Sequence, residues 1–142
     1  MNIESFCEYC LSKPGTTETT PFGPMDLVFK VEGKIFAIAA LDEVLPRVNL
    51  KCDPDLALEL RDRYEQVRPG YHMNKKHWNT VELDGVIPQK EIKKMIDHSY
   101  DLIVASLPKS RRPQAHHVQN PRQESITKSK RGSSPVSQEL KA

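Results

Sequence analysis

No stretch of this chain approaches the roughly 20 consecutive apolar residues that a membrane-crossing helix requires. Hydrophobic residues make up only 37% of its 142 positions. An integral membrane protein is therefore not expected, nor is a membrane partner. The opening Met1-Asn2-Ile3-Glu4 has no basic region followed by an apolar stretch, so no secretory signal is expected and the cytoplasm is the expected compartment. Cysteine is scarce: Cys7, Cys10 and Cys52 point to free thiols in a reducing compartment. There is no internal repeat, no glycine-rich phosphate loop, no strained nucleophile turn and no paired-carboxylate motif. With none of these, catalysis has no positive support, and the chain is not expected to be an enzyme.

Two local patterns could be taken for chemistry. Cys7-Glu8-Tyr9-Cys10 has the spacing of a metal or redox pair. A zinc site needs about four ligands, the one other cysteine is Cys52, and the pair lies inside a predicted helix and not at its N-terminus, where a thiolate is stabilised. Core cysteines are expected, with no metal and no cofactor. His72 and His77, with Glu82 or Asp84 to orient them, are the second pattern, an acid–base pair in residue type. Five residues apart across a hairpin tip, they need not meet.

What is present is unevenly distributed. Residues 1–106 carry 13 Lys+Arg and 17 Asp+Glu, a net of −4, whereas residues 107–142 carry 8 and 2, a net of +6. The second segment is rich in Pro, Ser, Gln and Arg and cannot bury enough apolar surface to offset about 1–2 kcal/mol of ordering entropy per residue. The expected organisation is a folded domain over residues 1–109 and a disordered basic tail over 110–142, which could add non-specific attraction for nucleic acid.

Periodicity places the elements. Asn2 caps a helix over Ile3 to about Ser12, stopped by Lys13-Pro14-Gly15. Thr16 to Pro24 reads as a polar, proline-punctuated loop. Alternation then predicts a strand through Leu27, Phe29 and Val31, a turn at Glu32-Gly33, a strand from Lys34 to Leu41, and a third strand through Val48, Leu50 and Cys52. Asp53-Pro54 opens a helix with Leu56, Leu60 and Tyr64 on its buried stripe. Residues 67–73 and 77–83 predict a strand pair joined near Asn74-Lys75-Lys76 and closed by Asp84-Gly85. Pro88 opens a last helix to about Ser106, with Ile92, Met95/Ile96, Ser99 and Leu102/Ile103 inward. The order α-β-β-β-α-β-β-α implies an α+β fold, an antiparallel sheet with its helices on one face and the other face open.

Alternation also says what the open face displays. With Val48, Leu50 and Cys52 inward, Arg47, Asn49 and Lys51 point out; with Val81 and Leu83 inward, so do Trp78, Thr80 and Glu82. Tyr71 and Met73 inward would turn His72 outward, and Asn74, Lys75, Lys76 and His77 crown the adjacent hairpin. A Trp among cationic and imidazole groups can stack on a base while its neighbours attract phosphate. The competing reading is a solvated face whose Trp is covered by the loop at Thr20 to Pro24. His98, on the last helix, reads as a surface or packing residue.

Pro69-Gly70-Tyr71-His72-Met73-Asn74-Lys75-Lys76-His77-Trp78-Asn79-Thr80-Val81 resembles the signature of the MmcQ/YjbR family of small bacterial proteins. So do Phe22-Gly23, Lys34-Ile35-Phe36-Ala37, Leu50-Lys51-Cys52-Asp53-Pro54 and Asp97-His98-Ser99-Tyr100, in order over residues 1–109. The resemblance implies a CyaY-like (frataxin-like) α+β fold. It also implies a DNA-binding role, by likeness to a double-wing domain of a phage transcription factor. Frataxin-type iron binding is not expected, because the acidic positions reduce to Glu4, Glu8 and Asp26.

The combined expectation is a non-enzymatic, monomeric DNA-binding protein using Arg47, Asn49, Lys51, His72, Asn74, Lys75, Lys76, His77 and Trp78. The alternative is a protein- or small-ligand-binding module on the Trp78 face.

Overall fold

The structure is a computed structural model that describes residues 1–41, 44–71 and 73–113, and the backbone of residues 137–138 and 140–141. The chain falls into two units, Met1–Arg111 and Arg112–Ala142. In the second, two dipeptides, Ser137–Gln138 and Leu140–Lys141, pair in parallel. The basic tail expected over residues 110–142 otherwise lies outside the described residues, apart from its first four positions.

Helix α1 (Ile3–Ser12) starts where Asn2 accepts a hydrogen bond from the Ser5 amide at 2.7 Å, and it buries Phe6 and Cys10. Strands β2 (Asp26–Val31) and β3 (Lys34–Ala40) form the expected hairpin. Its two turn residues, Glu32 and Gly33, have φ of 49° and 78°, a conformation that only glycine adopts without steric cost. A register shift between Phe29 and Lys30 lets both Phe36 and Ala37 reach the core, where Phe36 meets Tyr100 edge-on at 5.3 Å. Strand β4 (Arg47–Lys51) follows, then helix α2 (Pro54–Arg63), whose N-cap Asp53 accepts from the amides of Asp55 and Leu56. Strands β5 (Val67–Pro69) and β6 (Trp78–Glu82) precede helix α3 (Gln89–Ala105).

One element departs from expectation. Thr16 to Thr19 is a strand, β1, paired antiparallel with β2. Its β-branched threonines suit extended backbone. As an edge strand it lacks the apolar alternation that announces an interior one, and the prolines punctuate only the segment after it.

The six strands lie in the order β1-β2-β3-β4-β6-β5, all antiparallel. One apolar cluster joins the helices to one face of the sheet: Phe6 and Cys10 of α1, Ala57 and Leu60 of α2, and Ile92, Ile96, Tyr100 and Val104 of α3 pack on Phe29, Ala37, Val48, Leu50 and Val81. This is the expected α+β arrangement. Ser99, buried in α3, stitches helix to sheet: its hydroxyl donates to the Phe36 carbonyl at 2.6 Å and accepts from the Lys51 amide at 2.9 Å.

Candidate functional site

Strand register assigns the face away from the helices. Rows across it run Thr19–Val28–Ile38–Asn49–Thr80–Arg68, then Asp26–Ala40–Arg47–Glu82, with Lys51 opposite Trp78 near the far end. Arg47, Asn49, Lys51 and Trp78 therefore share the face, as the alternation in β4 and β6 predicts. Lys30, Arg47, Lys51 and Arg68 stand there against two carboxylates, Asp26 and Glu82. Glu82 is engaged by Arg68 at 3.3 Å. Lys30, Lys51 and Lys76 have no carboxylate within ion-pair distance among the described residues.

The face is less open than expected. Val28, Ile38 and Thr80 are buried on it. Thr80 was expected outward into solvent; instead its hydroxyl accepts from the Tyr71 amide at 2.9 Å and donates to Asn49 Oδ1 at 2.5 Å. The segment after β5 thus folds back over β6. For the same reason Tyr71, expected inward, is 58% exposed. Its ring lies 5.6 Å from the Arg47 guanidinium carbon, a cation–π distance. Met73, also expected inward, is half-buried, and Trp78 is half-buried. The Thr20–Pro24 loop leads into β2 beside Asp26, in the Arg47 row, whereas Trp78 sits in the Lys51 row. It adjoins the wrong end of the sheet to serve as the Trp cover. His72 lies outside the described residues.

The expected strand pair over 67–73 and 77–83 is shorter, because the chain leaves the ladder after Pro69. The Gly70 amide still bonds the Trp78 carbonyl at 2.8 Å. Asn74 then organises the loop: its Oδ1 accepts from the Lys76 amide at 3.0 Å, and its carbonyl from the Trp78 amide at 2.9 Å. Lys75 and Lys76 are exposed and His77 half-buried, with the Lys75 ammonium 3.3 Å from the Gly70 carbonyl.

Arg61 of α2 holds this loop from behind. Its guanidinium donates to Asn79 Oδ1 at 2.8 Å, to the Trp78 carbonyl at 3.3 Å, and to the Lys75 carbonyl. The sequence reading missed it, since a charged residue beside the buried stripe of a helix ordinarily reads as solvated. Its planar fork of donors suits a set of converging carbonyls.

Elsewhere burial shifts several titratable groups, and it raises the Asp101 carboxyl to about 7. Burial, with a smaller contribution from Glu18, pushes the Cys7 thiol up to about 11. Burial, reinforced by Asp53, pushes Cys52 to about 12, and Cys10 is raised mainly by its burial. All three thiols are therefore protonated at neutral pH. Among the described residues no three His, Cys, Asp or Glu side chains converge to hold a metal. His98 accepts from the Asp53 amide through Nε2 at 3.0 Å, which requires a neutral ring, and burial, partly opposed by Asp53, holds its pKa below the ordinary 6.5.

A consequence is measurable. The unfolded chain takes up this proton first, so the His98 contribution is complete above pH 6.5 and declines as pH falls below it. His98→Gln will flatten the dependence of stability on pH between about 5 and 6.5. Parallel curves for variant and parent in denaturant titrations across that range would show that the ring is not coupled to folding.

The YjbR family model matches residues 11–102, and with them the Pro69–Val81 stretch that builds this loop and strand. The chain belongs to the YjbR family. It is 39% identical over 112 residues to the uncharacterised protein YjbR of Escherichia coli K12, covering 79% of this chain and 95% of that one. To YbdF of Escherichia coli O157:H7 it is 42% identical over 89 residues, 63% of this chain and 73% of the relative. Among solved structures it resembles a DUF419-domain protein of Deinococcus radiodurans, with a TM-score of 0.74 at 34% identity, covering 78% of this chain and 84% of that one. For this YjbR-family chain, no helix among the described residues is long and apolar enough to cross a membrane.

Proposed function

We propose that this YjbR-family chain is a non-enzymatic DNA-binding protein that works through the face away from its helices and the 74–77 loop. The observation that carries the reading is the Lys51–Trp78 cross-strand pair, set beside the exposed Lys75 and Lys76. On a domain whose first 106 residues are net −4, cations outnumber carboxylates on this face. Phosphates would meet Lys51, Lys75, Lys76 and Arg47, with His77 at the rim and His72 in the same segment. Trp78 would brace the backbone or stack on a base. The amide oxygens of Asn49 and Asn74 are engaged within the protein, which leaves their NH2 groups to donate.

The test is a fluorescence titration of duplex DNA with the full chain at several salt concentrations. Affinity will fall linearly in log[salt], and Lys75→Glu with Lys76→Glu will weaken binding to all sequences alike, lowering the slope by about 2. Unchanged affinity in the double variant would remove the loop from the interface. No binding by the parent chain would overturn the DNA reading in favour of a protein or small-ligand partner on the Trp78 face.

A further inference from the structure

A concavity lies on the helix side of the sheet, lined by residues of α2 and α3. It is a cavity of about 150 Å³. Leu56 and Leu60 of α2 and Met95 of α3 form its walls, and Val81 and Asn79 of β6 contribute from the sheet. Two exposed cations reach it from the helices, Arg63 at the end of α2 and Lys94 of α3. One carboxylate faces them, Glu91, which pairs with Lys94 at 3.4 Å.

We propose that this cavity binds a small monocarboxylate whose apolar body is about the size of one six-membered ring. A space on the order of 150 Å³ with apolar walls accommodates a benzene-sized group. The charge at the mouth selects the sign of the head group, since Arg63 and Lys94 outnumber Glu91. Asn79 is a polar side chain that the sheet contributes. It is only 2% exposed, and its Oδ1 is taken by Arg61 at 2.8 Å. Its NH2 group has no acceptor among the described residues. It is left to donate to an acceptor oxygen on whatever fills the space. His98 and Cys52 also line the cavity, but His98 Nε2 is occupied by the Asp53 amide and the Cys52 thiol stays protonated, so binding is non-covalent. Of the lining residues, Lys51 also belongs to the proposed DNA surface, whose other residues lie on the opposite face or the 74–77 loop.

Phenylacetate is the probe, titrated into the full-length, 15N-labelled chain while amide shifts are followed by NMR. Saturable shifts will centre on residues 56–60, 79–81 and 91–98, and 2-phenylethylamine, with the same ring and the opposite charge, will bind at least about tenfold more weakly. Lys94→Glu, a change at a solvent-exposed position, will weaken phenylacetate about fivefold. Leu56→Trp fills the space and will abolish the shifts, with its own unaltered spectrum elsewhere showing that it folds. Equal binding of the amine, persistence of the shifts in Leu56→Trp, or no saturation by about 10 mM would each overturn the proposal.

Discussion

Arg61→Ala will lower the unfolding free energy by about 3 kcal/mol and release the loop between β5 and β6. Three acceptors depend on this one guanidinium: Asn79 Oδ1, the Trp78 carbonyl and the Lys75 carbonyl. Asn79 is buried, so its oxygen cannot turn to water without opening the packing around it. A stranded buried acceptor costs about 1–3 kcal/mol, more when the lost donor was charged. Arg61→Lys will recover little, because a single ammonium cannot reproduce a planar fork. Chemical denaturation gives the stability change, and amide exchange at His77 and Trp78, whose N–H groups both bond the Asn74 carbonyl, reports the loop. A loss below about 1 kcal/mol with protection intact would mean that Asn74 alone holds the loop. If the DNA reading is correct, the same variant will bind DNA less tightly without losing any residue that contacts it.

Gly70→Ala will destabilise the domain by about 1–3 kcal/mol for a different reason. The backbone of Gly70 is in an ordinary conformation, and the difficulty is space. A Cβ placed there would stand 2.8 Å from Trp78 Cβ, 3.0 Å from the Trp78 carbonyl oxygen and 3.1 Å from Met73 Cβ. Neither a strand backbone nor a Cβ can rotate away, so β5 and β6 must separate and the 2.8 Å bond from Gly70 to Trp78 must lengthen. Trp78 is the single tryptophan of the chain, so its emission reads the site directly. A red shift in folded Gly70→Ala, together with an earlier denaturation midpoint, is the expected result. An unshifted spectrum and midpoint would show that the strands part at no cost.

Both predictions concern residues that hold the candidate surface in place. The polar and aromatic groups on it are easy to find by alternation: Arg47, Asn49 and Lys51 follow from Val48 and Leu50 being apolar, and Trp78 from Val81. How the surface is covered is harder to read. Tyr71 faces outward and Thr80 is buried because the chain after Pro69 abandons the ladder and returns across β6, bonding Thr80 through its amide. A period-two pattern carried through residues 67–73 cannot anticipate that, since it assumes the ladder continues. His98 shows the same limit: its polarity marks it as a surface or packing residue, but its role as acceptor for the Asp53 amide depends on α3 passing the start of α2.

By itself the sequence determined the helices, the interior strands and which residues of β4 face away from the helices. Asn2 and Asp53 cap their helices because a short side-chain oxygen reaches the free amides of a first turn, and Glu32-Gly33 closes a hairpin because the turn bond is local. The family, and with it the α+β sheet, is equally legible, through the Pro69–Val81 motif. Tertiary structure alone decided that Thr16–Thr19 is an edge strand, that Arg61 grips a loop on another element, and that α2 and α3 leave a cavity over Asn79. These depend on groups far apart in the chain, whose meeting is set by packing, whereas propensity and periodicity report only what neighbours along the chain prefer.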